Sequence, residues 1–307
     1  MIEISNQQII DRYLRRFSHS KQSQSMRKYC LQYFFNSNFF GYSGHVFNIS
    51  KRDVIDFFDY LNHLENISLQ TKKNKWMIFR SFLQFIMEYY DDVVIVIPRY
   101  STQWKPIHKK PESNKDVVMT KEEVKKILDY MYNKNYNYYI FFRLLTETGM
   151  RIGELINLDY SNVNVKKRYI EAEGKTGRKV YYFSEGLARH LEIYLKERMN
   201  KETDSNALFL SIQRKRYALR TINHYIRKCV IRLNIEKWIS CHTFRRTLNT
   251  LRKRMGCPKE DRKILLCHKV SDVNFNCYVK LNYYDYIQLY DNWNPYKIIL
   301  NGITFNV

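Results

Sequence analysis

His242 and Arg245 stand three residues apart in the run HTFRRTLNTLRKRM, a second histidine follows at His268, and a tyrosine, Tyr278, closes the stretch. Residues i and i+3 share one face of a helix. A proton-handling imidazole and a bidentate guanidinium can therefore be aimed at a single phosphate. These residue types describe a phosphodiester site with no obvious metal. Tyr278 is the expected nucleophile. A phenol has a pKa of about 10, so its attack on phosphorus calls for a nearby base and a fixed cationic cage around the transition-state oxygens. Arginines supply that cage permanently.

Periodicity names the elements that must hold these groups. Phe244, Leu248, Leu251 and Met255 form one apolar stripe, which predicts a helix beneath His242 and Arg245, stopped by Gly256 and followed by another beginning at Pro258. Upstream, Thr148-Gly149-Met150-Arg151-Ile152-Gly153-Glu154-Leu155 follows an aromatic and aliphatic helix predicted over 138–148. Taken alone, its Arg151 and Glu154 read as a surface ion pair worth under about 1 kcal/mol.

Together these stretches resemble the tyrosine recombinase family, the phage integrases, which includes the Xer-type chromosome dimer resolvases. Residues 148–155 match the family's first box, T-G-x-R-x-x-E-L, and His242 to Arg245 match its second, H-x-x-R. Leu265-Leu266-Cys267-His268 matches the L-L-G-H-like step, with Cys267 in place of the usual glycine. Tyr278 lies ten positions after His268, one more than is commonest. The resemblance implies roles for single residues. Arg151, Arg245, His242 and His268 would stabilise the in-line transition state, and Glu154 would orient Arg151 or its catalytic neighbours. Lys175, in the turn Gly174-Lys175-Thr176-Gly177, matches the family's hairpin lysine, a general acid for the departing 5′ oxygen; Arg178 and Lys179 are rivals for that role. Tyr283, Tyr284 and Tyr286 compete with Tyr278 in principle, but only Tyr278 lies near the family's distance from His268. No metal and no cofactor are implied.

Composition agrees with a polyanionic partner. The chain of 307 residues carries a net charge of +22, which points to nucleic acid. Six cysteines show no C-x-x-C pair and no zinc-finger spacing with histidine. The first residues lack the apolar core of a signal peptide, and the longest aliphatic run, Val93 to Ile97, is too short to span a bilayer. No membrane association and a cytoplasmic location are expected.

The predicted fold is mainly α: a helical N-terminal core-binding bundle, then a mostly helical catalytic domain with a small antiparallel β-sheet. Residues 1–97 read as four helices that clamp DNA, similar in layout to the family's core-binding domain. Ser50 and Asp53 form a capping box ahead of Val54, Phe57, Phe58 and Leu61, and a later helix carries Trp76, Phe79, Leu83, Ile86 and Tyr90. Residues 98–116, rich in proline and lysine, read as an interdomain linker. The catalytic domain is expected over 117–290, opening on a capping box of Thr120 and Glu123. Strands are predicted over 168–173 and 179–183 around the glycine-flanked turn, with a further short strand at 207–210. Helices are predicted over 186–199 and 220–233. Lys72, Lys73, Lys75 and Arg80 in the bundle, and Arg216, Arg220 and Arg227 at or beside the later helix, are candidate DNA contacts. A charged outer face is the bland alternative for both groups. Residues 291–307 form a C-terminal tail whose apolar Ile298, Ile299, Leu300, Ile303 and Phe305 suit donation to a neighbouring subunit or folding back in cis.

The expected function is site-specific recombination of double-stranded DNA through a 3′-phosphotyrosine intermediate, by a homo-oligomer that is a tetramer on paired sites, with a second recombinase or a directionality factor as a further partner. The alternatives are a type IB topoisomerase-like enzyme, a telomere resolvase, a metal-dependent nuclease, and a non-catalytic DNA-binding or architectural protein.

Overall fold

The computed structural model describes residues 4–97, 117–174, 177–268 and 281–300. The expected linker 98–116, Lys175 and Tyr278 lie outside the described residues, as do Ile303 and Phe305. The chain divides into two compact units, Met1–Glu112 and Ser113–Val307.

The first unit holds α1 (Asn6–Arg15), α2 (Lys21–Phe35), α3 (Lys51–His63) and α4 (Leu69–Tyr89). Each helix begins where a serine can accept an otherwise unpaired amide. Ser50 Oγ accepts the Asp53 amide at 3.2 Å while the Asp53 carboxylate accepts the Ser50 amide at 2.8 Å, closing the predicted capping box. The core is aromatic, built around Phe34, Phe57 and Phe79, whose ring centroids lie 4.4 to 5.1 Å apart. Burying each such side chain contributes about 1.5–3 kcal/mol. The expected core positions Val54, Phe57, Phe58, Leu61, Trp76, Phe79, Leu83 and Ile86 are all buried.

In the second unit, α5 (Lys121–Lys134) and α6 (Tyr136–Thr148) lead into the short α7 (Ile152–Ile156). A three-stranded antiparallel sheet follows in the order β1 (Val163–Asn164), β2 (Tyr169–Gly174), β3 (Gly177–Tyr182). Helices α8 (Glu185–Met199), α9 (Leu219–Arg232), α10 (Cys241–Arg254), α11 (Lys259–Leu265) and α12 (Tyr283–Asn292) complete the described residues. β2 starts one residue later than predicted, because Arg168 adopts φ 51° and turns the chain there. The strand expected at 207–210 is not formed. Those four residues are buried, but only single bridges tie them, Asp159 to Ala207 and Leu210 to Arg216. An apolar run bounded by turns resembles a strand in sequence even when its backbone bonds go elsewhere. The α10 stripe also ends early: Phe244, Leu248 and Leu251 are buried, whereas Met255 lies past the helix end and is exposed.

The described part of the expected tail packs into this chain's own core. Tyr296 and Leu300 are buried in the same cluster as Phe244 and Leu248, and Ile298 is exposed. A polar reason accompanies the apolar one. Arg143 and Glu147 form an ion pair at 3.0 Å with both side chains essentially inaccessible. Tyr290 Oη donates to Glu147 at 3.0 Å, and Arg143 Nη2 donates to the Leu300 carbonyl at 3.2 Å. A buried pair needs such partners to satisfy its remaining donors and acceptors. No helix among the described residues is long and apolar enough to cross a membrane.

Candidate active site

Helix α6 ends on Gly149, which sits in the left-handed region at φ 62°. Glycine is required there twice over. Its φ is one that side chains disfavour, and a Cβ would meet Leu266 Cδ2 at 2.8 Å and Leu248 Cδ2 at 2.9 Å. The chain turns at once into α7, with Arg151 at the N-cap. Ending α6 leaves the Gly149 carbonyl free, and Arg245 Nη1 donates to it. Arg245 Nη2 donates to the Leu266 carbonyl at 2.8 Å and reaches His268 Nε2 at 2.6 Å. One buried guanidinium thereby joins the turn before Arg151 to the step before His268. His242 lies one helical turn from Arg245 on α10.

Because Arg245 can only donate, His268 Nε2 must offer a lone pair and the ring proton sits on Nδ1. The electrostatics agree. Burial, then the neighbouring charges of Arg245, Arg151 and Lys179, push His268 below its ordinary value. His242 is lowered by burial and by Arg246, Arg245 and Arg151. Both imidazoles are neutral near pH 7, with the lone pair of His268 already engaged by Arg245.

Glu154 anchors the other side. Its Oε1 accepts Lys179 Nζ at 2.5 Å and Arg151 Nη1 at 3.1 Å, and its Oε2 accepts Tyr181 Oη at 2.7 Å and the Arg151 amide at 3.0 Å. Burial opposes its charge, but the hydrogen bonds from Lys179, Tyr181 and Arg151 outweigh that and hold its carboxyl below the usual range. The Arg151 side chain is 50% exposed, so a face of it remains open. Gly174 makes room for the pair, since a Cβ there would meet Lys179 Nζ at 2.6 Å and Glu154 Oε1 at 2.9 Å.

The two rivals to Lys175 separate. Arg178 lies on the exposed side of β3, paired with Glu171, while Lys179 points inward. Tyr181 is a site residue that sequence reading missed. The signal was available in the two-residue period of a strand, which places Lys179 and Tyr181 on one face. Among the other tyrosines, Tyr283 Oη donates to the Lys167 carbonyl at 2.8 Å and Tyr286 stacks on Tyr182. Cys267, in the glycine's place, adopts φ 50°. Its thiol donates to the Val180 carbonyl at 3.2 Å and is pushed up to about 11, chiefly by burial.

Several expected DNA contacts are committed to the fold. Lys75 is 2% exposed, its ammonium 3.2 Å from the Tyr33 ring centroid and 4.3 Å from that of Tyr29, so it is a core cation and not a phosphate ligand. It lies four residues before Phe79 and seven before Phe82, which places it on the buried face of α4. Lys72 donates to the Asn62 carbonyl at 2.6 Å, near the end of α3. Arg216 donates to the carbonyls of Ile156 and Leu158, both at 2.9 Å, and to Asp159 at 2.6 Å; it staples the chain after α7 and is not free for a phosphate. Lys73 and Arg80 are half-buried, whereas Arg220 and Arg227 are exposed, Arg227 stacked on Trp238 at 4.5 Å.

Comparison with known proteins agrees with this geometry. The sequence model of the phage integrase family matches residues 117–284. The chain is 28% identical over 215 residues to tyrosine recombinase XerC of Caldanaerobacter subterraneus, a match covering 68% of this chain and 59% of that protein. It is 27% identical over 229 residues to tyrosine recombinase XerD of Staphylococcus haemolyticus, covering 70% of this chain and 73% of that protein. The fold is similar to that of a lambda integrase tetramer bound to a Holliday junction, with a TM-score of 0.65 at 12% identity, covering 91% of this chain and 81% of that one. With both boxes joined through Arg245 and the family's sequence pattern spanning more than half of its residues, this chain belongs to the phage integrase family, the tyrosine recombinases that break and rejoin DNA.

Proposed function

We propose that this tyrosine recombinase cleaves duplex DNA at a specific site by attack of Tyr278 on the scissile phosphate. The bond from the phenolic oxygen to phosphorus forms as the bond from phosphorus to the 5′ oxygen breaks. The departing oxygen takes a proton from Lys175, and the phenol proton passes to a neutral histidine of the site. The 3′-phosphotyrosine bond conserves the energy for rejoining, and attack by a partner strand's 5′-hydroxyl completes the exchange. Arg151, Arg245, His242 and His268 brace the phosphate oxygens.

The observation that carries this reading is the fastening of Arg245 between the Gly149 and Leu266 carbonyls and His268, one turn of chain away from Arg151. Charge balance supports it. Arg151, Arg245 and Lys179 less the Glu154 carboxylate leave two positive charges, and a protonated Lys175 adds a third, so the site stays cationic towards a phosphodiester and an attacking phenolate. Exposed Arg220 and Arg227, and half-buried Lys73 and Arg80, are retained as candidates for phosphate contact. A tetramer on paired sites is the assembly, with a second recombinase or directionality factor as a further partner.

Covalent trapping tests the reading. Nicked suicide duplexes drawn from the DNA around the chain's own gene are incubated with the protein in EDTA, beside Tyr278→Phe. An adduct that survives denaturation and is lost in the variant is expected. An adduct that persists in Tyr278→Phe would transfer the role to Tyr283, Tyr284 or Tyr286.

A further inference from the structure

We propose that Lys179 and Tyr181 are positioning residues for strand cleavage: from β3 they grip the two oxygens of Glu154 and so hold the Arg151 turn and the hairpin bearing Lys175 as one unit around the scissile phosphate. The proposal rests on the reading of the site given above. Glu154 receives four hydrogen bonds, two from Arg151 and two from β3, with each oxygen shared between the two elements. An ionised carboxylate offers about four acceptor sites, so the group is saturated. Stability alone gives little reason for this arrangement, because a buried ion pair is commonly matched or bettered by apolar residues of the same volume. What the carboxylate supplies is geometry. It fixes one η nitrogen of Arg151 and leaves the rest of a half-exposed guanidinium to face a phosphate. Lys179 is poorly placed to protonate a leaving group itself, being 7% exposed and tied to Glu154 at 2.5 Å. Tyr181 is buried, and its phenol is held well above the ordinary range by burial, then by Cys267 and Glu154. It therefore donates to Glu154 at any working pH. Gly174 completes the device, since its lack of a side chain lets the Lys179–Glu154 pair lie against the end of β2.

The test uses the full chain and the suicide duplex that the unaltered protein cleaves, in two forms: one with the natural 5′ oxygen and one with sulfur bridging at that position. A thiolate is a far better leaving group than an alkoxide, so the sulfur form removes the need for a general acid. Lys179→Met is expected to slow single-turnover adduct formation about 100-fold, the usual consequence of a misplaced catalytic group, with duplex affinity within twofold of the unaltered chain. The sulfur form should rescue Lys175→Ala but Lys179→Met only in part, because it bypasses a displaced acid and not a displaced Arg151, and Lys179→Arg should recover most of the rate. Tyr181→Phe, which removes one hydroxyl and keeps the ring, should slow cleavage about tenfold on both forms. Unaltered cleavage by both Lys179→Met and Tyr181→Phe overturns the proposal. Rescue of Lys179→Met by sulfur to the full rate of the unaltered chain also overturns it, since a displaced Arg151 would keep the sulfur form slow. If Lys179→Met fails to fold, Tyr181→Phe decides alone. Failure of the underlying reading looks different: no adduct forms with the unaltered chain, or the adduct survives Tyr278→Phe.

Discussion

Cys267 occupies a left-handed backbone conformation, φ 50°, at the position where the family carries glycine. Replacing it with alanine and with glycine in parallel isolates the strain. Any residue with a Cβ is penalised there by about 1–2 kcal/mol. Glycine avoids that penalty but loses about 0.5–1 kcal/mol to the greater freedom of its unfolded chain. Glycine should therefore exceed alanine in stability by about 0.5–1 kcal/mol, the reverse of their order in a helix or strand. Both variants lose the thiol, which is held against the Val180 carbonyl at 3.2 Å; that removal is common to the two and cancels. Equilibrium urea unfolding gives the difference directly, and the corresponding melting temperatures should differ by about 2–4 °C per kcal/mol for a unit of this size. Cleavage by Cys267→Gly should match that of the unaltered chain, since the thiol is half-buried, held to the Val180 carbonyl and protonated. If alanine proves as stable as glycine, the left-handed turn carries no strain and the family's preference for glycine needs another cause.

The remaining expectations are briefer. Glu154→Gln leaves the Lys179 ammonium buried without its counter-charge, and should cost about 3–5 kcal/mol by urea unfolding; a loss below about 0.5 kcal/mol would contradict the buried pair. Gly149→Ala, which drives a methyl into Leu266 and Leu248 at positive φ, should lose several kcal/mol and cleavage with it. Acid should destabilise the chain in two stages. His242 and His268 are lowered in the fold, so the unfolded chain binds protons first and stability falls once the pH drops below about 6.5. Glu154, held below its ordinary value, contributes stability above that value which is lost as the pH falls through its folded value. Melting curves between pH 7 and pH 3 check both stages, and a His242→Gln, His268→Gln double variant should flatten the first. Arg216→Ala should lower stability by about 1–3 kcal/mol by removing the donor to the Ile156 carbonyl and to the Asp159 carboxylate, while leaving the salt dependence of DNA binding unchanged. Arg220→Ala should do the opposite, reducing that slope by about one unit.

The local grammar of this chain was legible without coordinates. Ser50 and Asp53 announced α3, Thr120 and Glu123 announced α5, and Gly149 marked the end of α6, because caps and left-handed turns are decided by residues within a few positions of one another. Gly174 and Gly177 likewise bounded the hairpin. The two boxes were visible as spacing. What spacing left open was which side chains meet. That Arg245 would reach back to the Gly149 carbonyl, and that Lys179 and Tyr181 would share Glu154, depend on how α6, α10 and β3 pack, and contacts across so many residues leave no mark in any one window. The basic residues show the same division. Charge alone made Lys75, Arg216 and Arg220 equivalent, yet burial made the first a core cation over two tyrosines, hydrogen bonding made the second a staple, and only the third was left facing solvent. A charged side chain is defined by what surrounds it, since burial and partners determine whether its charge is available to a ligand, and that is settled by the tertiary structure alone.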